Sequence, residues 1–288
     1  MSGMGHIEDE ITPFLKARRA ALDPAALGLP NGVTRRRVNG LRREEVAQIA
    51  GISVDYYTRI EQGRAPAISD AVLDAIARAL RLTDHEHTYL RNITAPGRRD
   101  AAGACAPSER PEVRPQIQEL LDAMTTVPAV VYGPGTDILA WNRLAPLVFA
   151  MDFATMAEED LNGARLVFLH PRSRDLYPDW DHIAEDTVSA LRVDVGRYPE
   201  HGRAYRVMCE LRDASPEFRR LWENQDVRDR DNGIKRMAHP EVGELVLTFE
   251  AFEMPTDPGQ RLCTYTAPTG SETERKLRDL ATRTAISV

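Results

Sequence analysis

One glycine constrains this chain more than any other residue. In "REEVAQIAGISVDYYTRIEQGR" (43–64), Gly51 separates two stretches of helical periodicity, with Ile52 beside it and Ser53 opening the second. Two helices joined so tightly must cross steeply, and a glycine supplies the left-handed backbone that ends the first. Ala47 is small where the two would pack closest, and Val46, Ala50, Ile52, Tyr57 and Ile60 form one shared apolar face. Ser53 can cap the second helix and "QGR" stops it. The spacing predicts a helix-turn-helix over 42–62.

That assignment decides what the second helix offers to its surroundings. With Tyr57 and Ile60 turned inward, Ser53, Val54, Asp55, Thr58 and Arg59 are left facing solvent. A solvated helix usually carries Lys/Glu pairs there. A hydroxyl, a branched apolar group, a short acid and an arginine are instead groups that read base edges in a major groove. Tyr56 lies at the rim, within reach of a phosphate. Arg35, Arg36, Arg37, Arg42 and Arg43 fall just before or at the start of the preceding helix, where a groove-docked pair crosses the DNA backbone. Arg19 and Glu61 are expected to form an internal ion pair bracing an earlier helix.

Three further helical patterns complete the first hundred residues. Helix 8–21 carries Ile11, Phe14, Leu15 and Ala17 on one stripe. Helix 68–80 carries Val72, Leu73, Ile76 and Leu80, and helix 83–94 opens on a threonine cap. Residues 11–64 hold ten basic and five acidic side chains, although the whole chain of 288 residues carries a net charge of -7. A basic module followed by an acidic remainder is polarised, and the basic part suits phosphate.

The stretch "APGRRDAAGACAPSERPEVRP" (95–115) is rich in Pro, Gly, Ala and charge without apolar periodicity, and reads as a linker. The expected division is 1–96 for the DNA-binding domain, 97–112 for the linker and 113–288 for a second domain. In that second part, 113–124 is an amphipathic helix and 128–142 reads as strand, Gly-Pro-Gly turn, strand. Residues 165–171 form a short apolar stretch, and 180–225 are dominated by helical patterns. Residues 233–254 and 260–267 read as three more strands, hinged at "HPEVG". About five antiparallel strands with helices crossing one side make an α+β domain with room for a ligand between the layers.

No apolar run approaches the roughly 20 residues a membrane helix needs. The opening "MSGMGHIEDE" is acidic and unlike a secretory leader. Cys105, Cys209 and Cys263 are widely separated and show no metal-ligand spacing, which fits a reducing cytoplasm without a zinc site or disulfide frame. No GxSxG, HExxH, Walker or Rossmann glycine pattern occurs, so neither catalytic residues nor a cofactor is expected and the chain reads as a non-enzyme.

Residues 11–95, with "GLRREEVAQIAGISVDYYTRIEQGR" at the centre, resemble the lambda-repressor-like (XRE-type) helix-turn-helix of actinobacterial regulators. The loop "PAALGLPNGVTRRRVNG" is similar to one subgroup, which carries an MmyB-like ligand-binding domain. Residues 111–281 resemble that domain through "DILAWN", "YPDW", "SPEFRRLW" and "KRMAHPEVGEL". The resemblance implies a PAS-like fold and, since a member has been seen holding a fatty acid, a small lipophilic effector. One departure is Gln225, where the family usually has histidine.

Candidate pocket residues are Trp141, Phe149, Phe168, Trp180, Trp222, Phe249 and Tyr265, the tryptophans serving the core first and the pocket through a shared wall. Arg219, Arg220, Lys235 and Arg236 either anchor a carboxylate head or lie in solvent. His170, beside Pro171, reads as a turn histidine. The expected assembly is a homodimer on a near-palindromic double-stranded operator, gated by the lipophilic effector. The alternative is gating by a protein partner or by oxidation of a thiol.

Overall fold

The computed structural model describes residues 3–27, 40–65, 67–94, 110–197, 202–225, 227 and 231–285, with side chains from 10 to 282 within those spans. Contacts divide the chain into two compact units, Met1–Cys105 with Glu223–Val227, and Ala106–Trp222 with Arg228–Val288. Arg35, Arg36, Arg37 and most of the expected linker (95–109) lie outside the described residues.

Among the described residues the first unit holds five α-helices: α1 (Gly3–Ala21), α2 (Arg43–Ala50), α3 (Val54–Glu61), α4 (Asp70–Ala79) and α5 (Asp84–Thr94). α1 starts earlier than its apolar stripe predicts and runs through Pro13. At the α2–α3 corner Gly51 has φ +69°, Ile52 N–H donates to Ala47 O at 3.0 Å, and Gly51 N–H donates to Gln48 O at 3.3 Å. This is the paired-bond helix end that needs a left-handed residue. Ser53 Oγ then accepts Tyr56 N–H at 3.1 Å and caps α3. α5 opens on a reciprocal cap, with Thr83 N–H donating to Glu86 Oε2 at 2.7 Å and Thr83 Oγ1 accepting Glu86 N–H at 3.3 Å. The stripes of all five helices meet in one core of Ile11, Phe14, Leu15, Val46, Ala47, Tyr57, Ile60, Leu73, Ile76 and Leu90, while Ala50 and Ile52 are half-buried.

The second unit is built on one antiparallel sheet: β1 (Ala129–Tyr132), β2 (Ile138–Trp141), β3 (Asn232–His239), β4 (Gly243–Glu253) and β5 (Arg261–Thr266), in the order β2-β1-β5-β4-β3. Its helices are α6 (Pro115–Ala123), α7 (Leu144–Val148), α8 (Gly163–Phe168), α9 (Ser173–Leu176), α10 (Trp180–Arg197), α11 (Arg203–Ala214), α12 (Pro216–Glu223) and α13 (Glu272–Ala285). Two features differ from the sequence reading. The apolar stretch at 165–171 is mostly helix α8, because Asn162 Oδ1 accepts Arg165 N–H at 3.0 Å and caps a turn there. Helices also cover both sheet faces rather than one. The β1 alternation explains this: Val130 joins the main core, whereas Ala129 and Val131 join Leu121 of α6, Ala140 and Leu262 on the opposite side.

The sequence motifs of this unit are largely scaffold. Asn142 holds four backbone groups, donating to Met124 O and Val127 O at 2.7 and 2.6 Å and accepting from Ala129 and Ala145 N–H at 3.1 Å. Asp137 binds Arg203 through both carboxylate oxygens at 2.8 and 2.9 Å, and Asn162 Nδ2 donates to it at 2.8 Å. His239 Nδ1 accepts the N–H groups of Glu241 and Val242, so its Nε2 carries the proton and donates to Leu147 O at 2.7 Å. These are buried polar groups with their bonds made, as a folded interior requires.

Candidate functional site

The exposed side of α3 is the first candidate. Ser53, Val54, Asp55 and Arg59 are exposed, and Tyr56 and Thr58 half-buried. Val54 keeps 46% of its surface in solvent, an unusual place for a branched apolar residue unless something else covers it. Some of these groups already have local partners: Thr58 Oγ1 donates to Val54 O at 2.7 Å, and Arg59 lies 4.0 Å from Asp55. Tyr56 Oη reaches Ala67 O only at 3.5 Å.

Beneath this face, Glu61 is fully buried and accepts from both Arg19 Nε, at 3.2 Å, and Arg43 Nε, at 2.9 Å. The Arg19–Glu61 brace expected from the sequence is thus present, and Arg43 shares it. Arg43 therefore carries a structural bond in addition to any phosphate role. Arg42 sits 3.8 Å from the exposed Glu44, a weak surface pair. Burial, then the Glu61 carboxylate, holds the Tyr57 phenol well above its usual range, so Tyr57 stays neutral in the core.

The second candidate is a cavity of about 150 Å³ in the second unit. Its walls come from the sheet (Tyr132, Ile138, Phe249, Tyr265), from α10 (Ile183, Asp186) and from α8 and the segment before it (Met151, Phe153, Val167). The lining is mostly apolar with a few convergent polar groups, the usual make-up of a small-molecule site. Among the seven aromatic candidates, Phe149, Phe249 and Tyr265 line it. Trp141, Phe168, Trp180 and Trp222 do not. Trp141 stands behind the wall, edge-on to Phe153 at 5.4 Å. Phe168 packs edge-on to Trp180 and Phe218 at 5.6 and 5.1 Å, and Phe218 stacks on Trp222 at 5.6 Å, a cluster among helices. Trp180 Nε1 is also committed, donating to Val167 O and Ser173 Oγ at 3.1 Å. Large indoles with a donor to satisfy settle where helices meet.

Of the four candidate head-group cations, Arg219, Arg220 and Arg236 are exposed and Lys235 turns into the cavity. Tyr132, Tyr177, Arg261 and Cys263, none of them singled out from the sequence, share its wall. Arg261 is held by Asp194 at 3.1 and 3.2 Å. Burial pushes the Cys263 thiol up to about 11, so at neutral pH it is a thiol and not a reactive thiolate. His170 Nδ1 accepts Arg172 N–H at 3.3 Å, as a turn histidine does. Gln225 is buried at φ +54° and is not a lining residue.

Comparison with protein families decides the assignment. The family model for the MmyB-like transcription regulator ligand binding domain matches residues 113–280, more than half of the chain. The chain belongs to this family. A helix-turn-helix domain model matches residues 14–90. No curated protein gives a match. An MmyB-like ligand-binding domain behind a helix-turn-helix makes the chain a DNA-binding transcription regulator with a ligand-sensing domain. The cavity lies wholly within the stretch matched to the MmyB-like domain. Among the described residues no cluster of His, Cys, Asp or Glu could hold a metal ion, and no helix is long and apolar enough to cross a membrane.

Proposed function

We propose that this regulator is a cytoplasmic, non-enzymatic homodimer that reads a near-palindromic operator with α3 and senses a small lipophilic, fatty-acid-like molecule in the second-unit cavity. The observation that carries the reading is the cavity itself, apolar on most sides and set inside the ligand-binding family match. A volume of about 150 Å³ is that of an interior void able to hold a benzene-sized guest. It accommodates a short acyl chain or the leading part of a longer one. Gating by oxidation at Cys263 is disfavoured, because burial keeps that thiol protonated.

At the operator, Ser53, Val54, Asp55, Thr58 and Arg59 read bases. Arg35, Arg36, Arg37, Arg42, Arg43 and Tyr56 hold phosphates. The effector acts through its preference between two states of the regulator, since a ligand shifts an equilibrium only by its differential affinity. Gel-shift titration of two variants separates the two contact classes. Arg59→Ala should weaken operator binding by roughly 1–3 kcal/mol and relax base preference. Arg36→Ala should weaken all sequences alike and reduce the salt slope by about one unit. Wild-type binding by both variants would overturn the footprint. Native mass spectrometry of the purified chain checks the dimer and any co-purifying small molecule together.

A further inference from the structure

α6 covers only part of the sheet face turned away from the cavity. Its Leu121 packs with Ala129 and Val131 of β1, Ala140 of β2, Leu262 of β5 and Met254 just past β4. The β4–β3 half of that face stays open to solvent. On β4, Leu245 and Leu247 join the main core and Phe249 lines the cavity, so Val246, Thr248, Glu250 and Phe252 point to the outer side. Strand register agrees, since Phe252 stands opposite Leu262, which packs under α6. On β3, Ile234 and Arg236 pair with Thr248 and Val246 and share the same side.

Ile234 and Phe252 are the two most exposed large apolar side chains among the described residues, at 64% and 51%. One such residue on a surface is ordinary. Two on one sheet face, continuous with the packed cluster under α6 and bordered by the exposed Thr248, mark a contact surface.

The charges around Ile234 say what fits there. Arg236 lies two residues to one side of it. Glu250, opposite Asn232 in the register, lies two residues to the other side on the adjoining strand. A separation of four residues along the strands is roughly 13 Å, too far for the two to pair within one chain. Arg236 has only Glu244 nearby, at 3.8 Å with both side chains more than half exposed, a weak pair. A two-fold axis lying in this face, across the strands at Ile234, exchanges the two sides. It sets Ile234 on the partner's Ile234 and carries each Arg236 towards the partner's Glu250. An apolar centre with one cation and one anion equally far on either side is complementary to itself.

We infer that a second copy of this chain docks on the open β4–β3 face, with Ile234 at the two-fold axis, Arg236 and Glu250 paired across it and Phe252 at the margin. The inference rests on the homodimer reading and adds the surface and its register.

Sedimentation velocity of the full-length chain across micromolar concentrations tests it, with circular dichroism as the check on folding. Wild type should sediment as a dimer. Ile234→Asp should weaken dimerisation about a hundredfold and Phe252→Ser about tenfold. Arg236→Glu alone should weaken it about tenfold, and Arg236→Glu combined with Glu250→Arg should restore it, a recovery that a misfolded variant does not show. A monomeric wild type would overturn the homodimer and this interface together and leave the face to a different protein. A dimer that survives Ile234→Asp would overturn this interface while the homodimer stands on another surface. Failure of the double charge exchange to recover what Arg236→Glu loses would overturn the two-fold register. Should Ile234→Asp not fold, the charge exchange decides alone.

Discussion

Glu61 is fully buried and Lys235 half-buried with its ammonium among cavity rings, one in each compact unit, and only Glu61 has its counter-charge. Glu61 is fully buried with arginines on both carboxylate oxygens. Lys235 has four aromatic rings and no paired acid among the described residues. A buried charge with every bond made belongs to the fold, since nothing is gained by adding a partner. A buried charge left short is a cost the fold carries, and such costs concentrate where a ligand completes the site. The same contrast separates Arg261, closed by Asp194, from Lys235 on a single cavity wall.

The comparison breaks most readily at Glu61. Glu61→Ala leaves Arg19 and Arg43 facing each other without an acid and should destabilise the first unit by about 3 kcal/mol. Thermal unfolding followed by circular dichroism measures this, and operator binding should fall with it. A loss under about 1 kcal/mol would show that the arginines relax into solvent and that the network is not a brace. Lys235→Met should act with the opposite sign in the ligand-free chain, because it removes a desolvated ammonium and keeps the length of the side chain. The expected gain is about 1 kcal/mol.

The pH dependence sharpens the second case. Lys235 has its folded pKa depressed below the ordinary 10.5. The folded state thus binds fewer protons than the unfolded state between those two values. Wild-type stability relative to Lys235→Met should rise as pH climbs through that window and level off near 10.5. Below about pH 9 the buried Cys263 thiol, which burial pushes up, stays protonated in both proteins and leaves the difference to Lys235. A flat difference would mean that the ammonium is solvated, and the contrast with Glu61 would lapse.

The two sites were unequally legible in the sequence for a physical reason. The α2–α3 corner is local: Gly51, its cap Ser53 and the inward Tyr57 and Ile60 lie within ten residues, and helical periodicity names their face. The cavity wall gathers residues more than a hundred positions apart, from Tyr132 to Tyr265. Size was a poor guide there, since Trp180 and Trp222 went to helix junctions, Trp180 with its N–H satisfied and Trp222 stacked on Phe218. Alternation was the better one. In "NGIKRMAH" it places Lys235 on the face of Met237 and His239, both buried, and Arg236 on the open face. A lysine on the outermost strand of a sheet ordinarily guards an edge against pairing, which hides one that points inward.

A third arrangement, partly exposed and fully paired, completes the series and carries the smallest expected effect. Arg114, just before α6, meets Asp257 in the β4–β5 turn with Nη2 2.7 Å from Oδ2, and its Nε is 2.9 Å from both carboxylate oxygens. The guanidinium hydrogen bond holds the Asp257 carboxyl below its usual 3.8. Its contribution is therefore present above that value and fades as pH falls through the lower folded pKa. Asp257→Asn should cost about 0.5 kcal/mol at neutral pH, less in high salt, and nothing once the wild-type acid is protonated. Urea unfolding at neutral and strongly acidic pH measures both limits. An effect as large as that of Glu61→Ala would show that exposure does not rank these charges. Burial alone would then no longer single out Lys235.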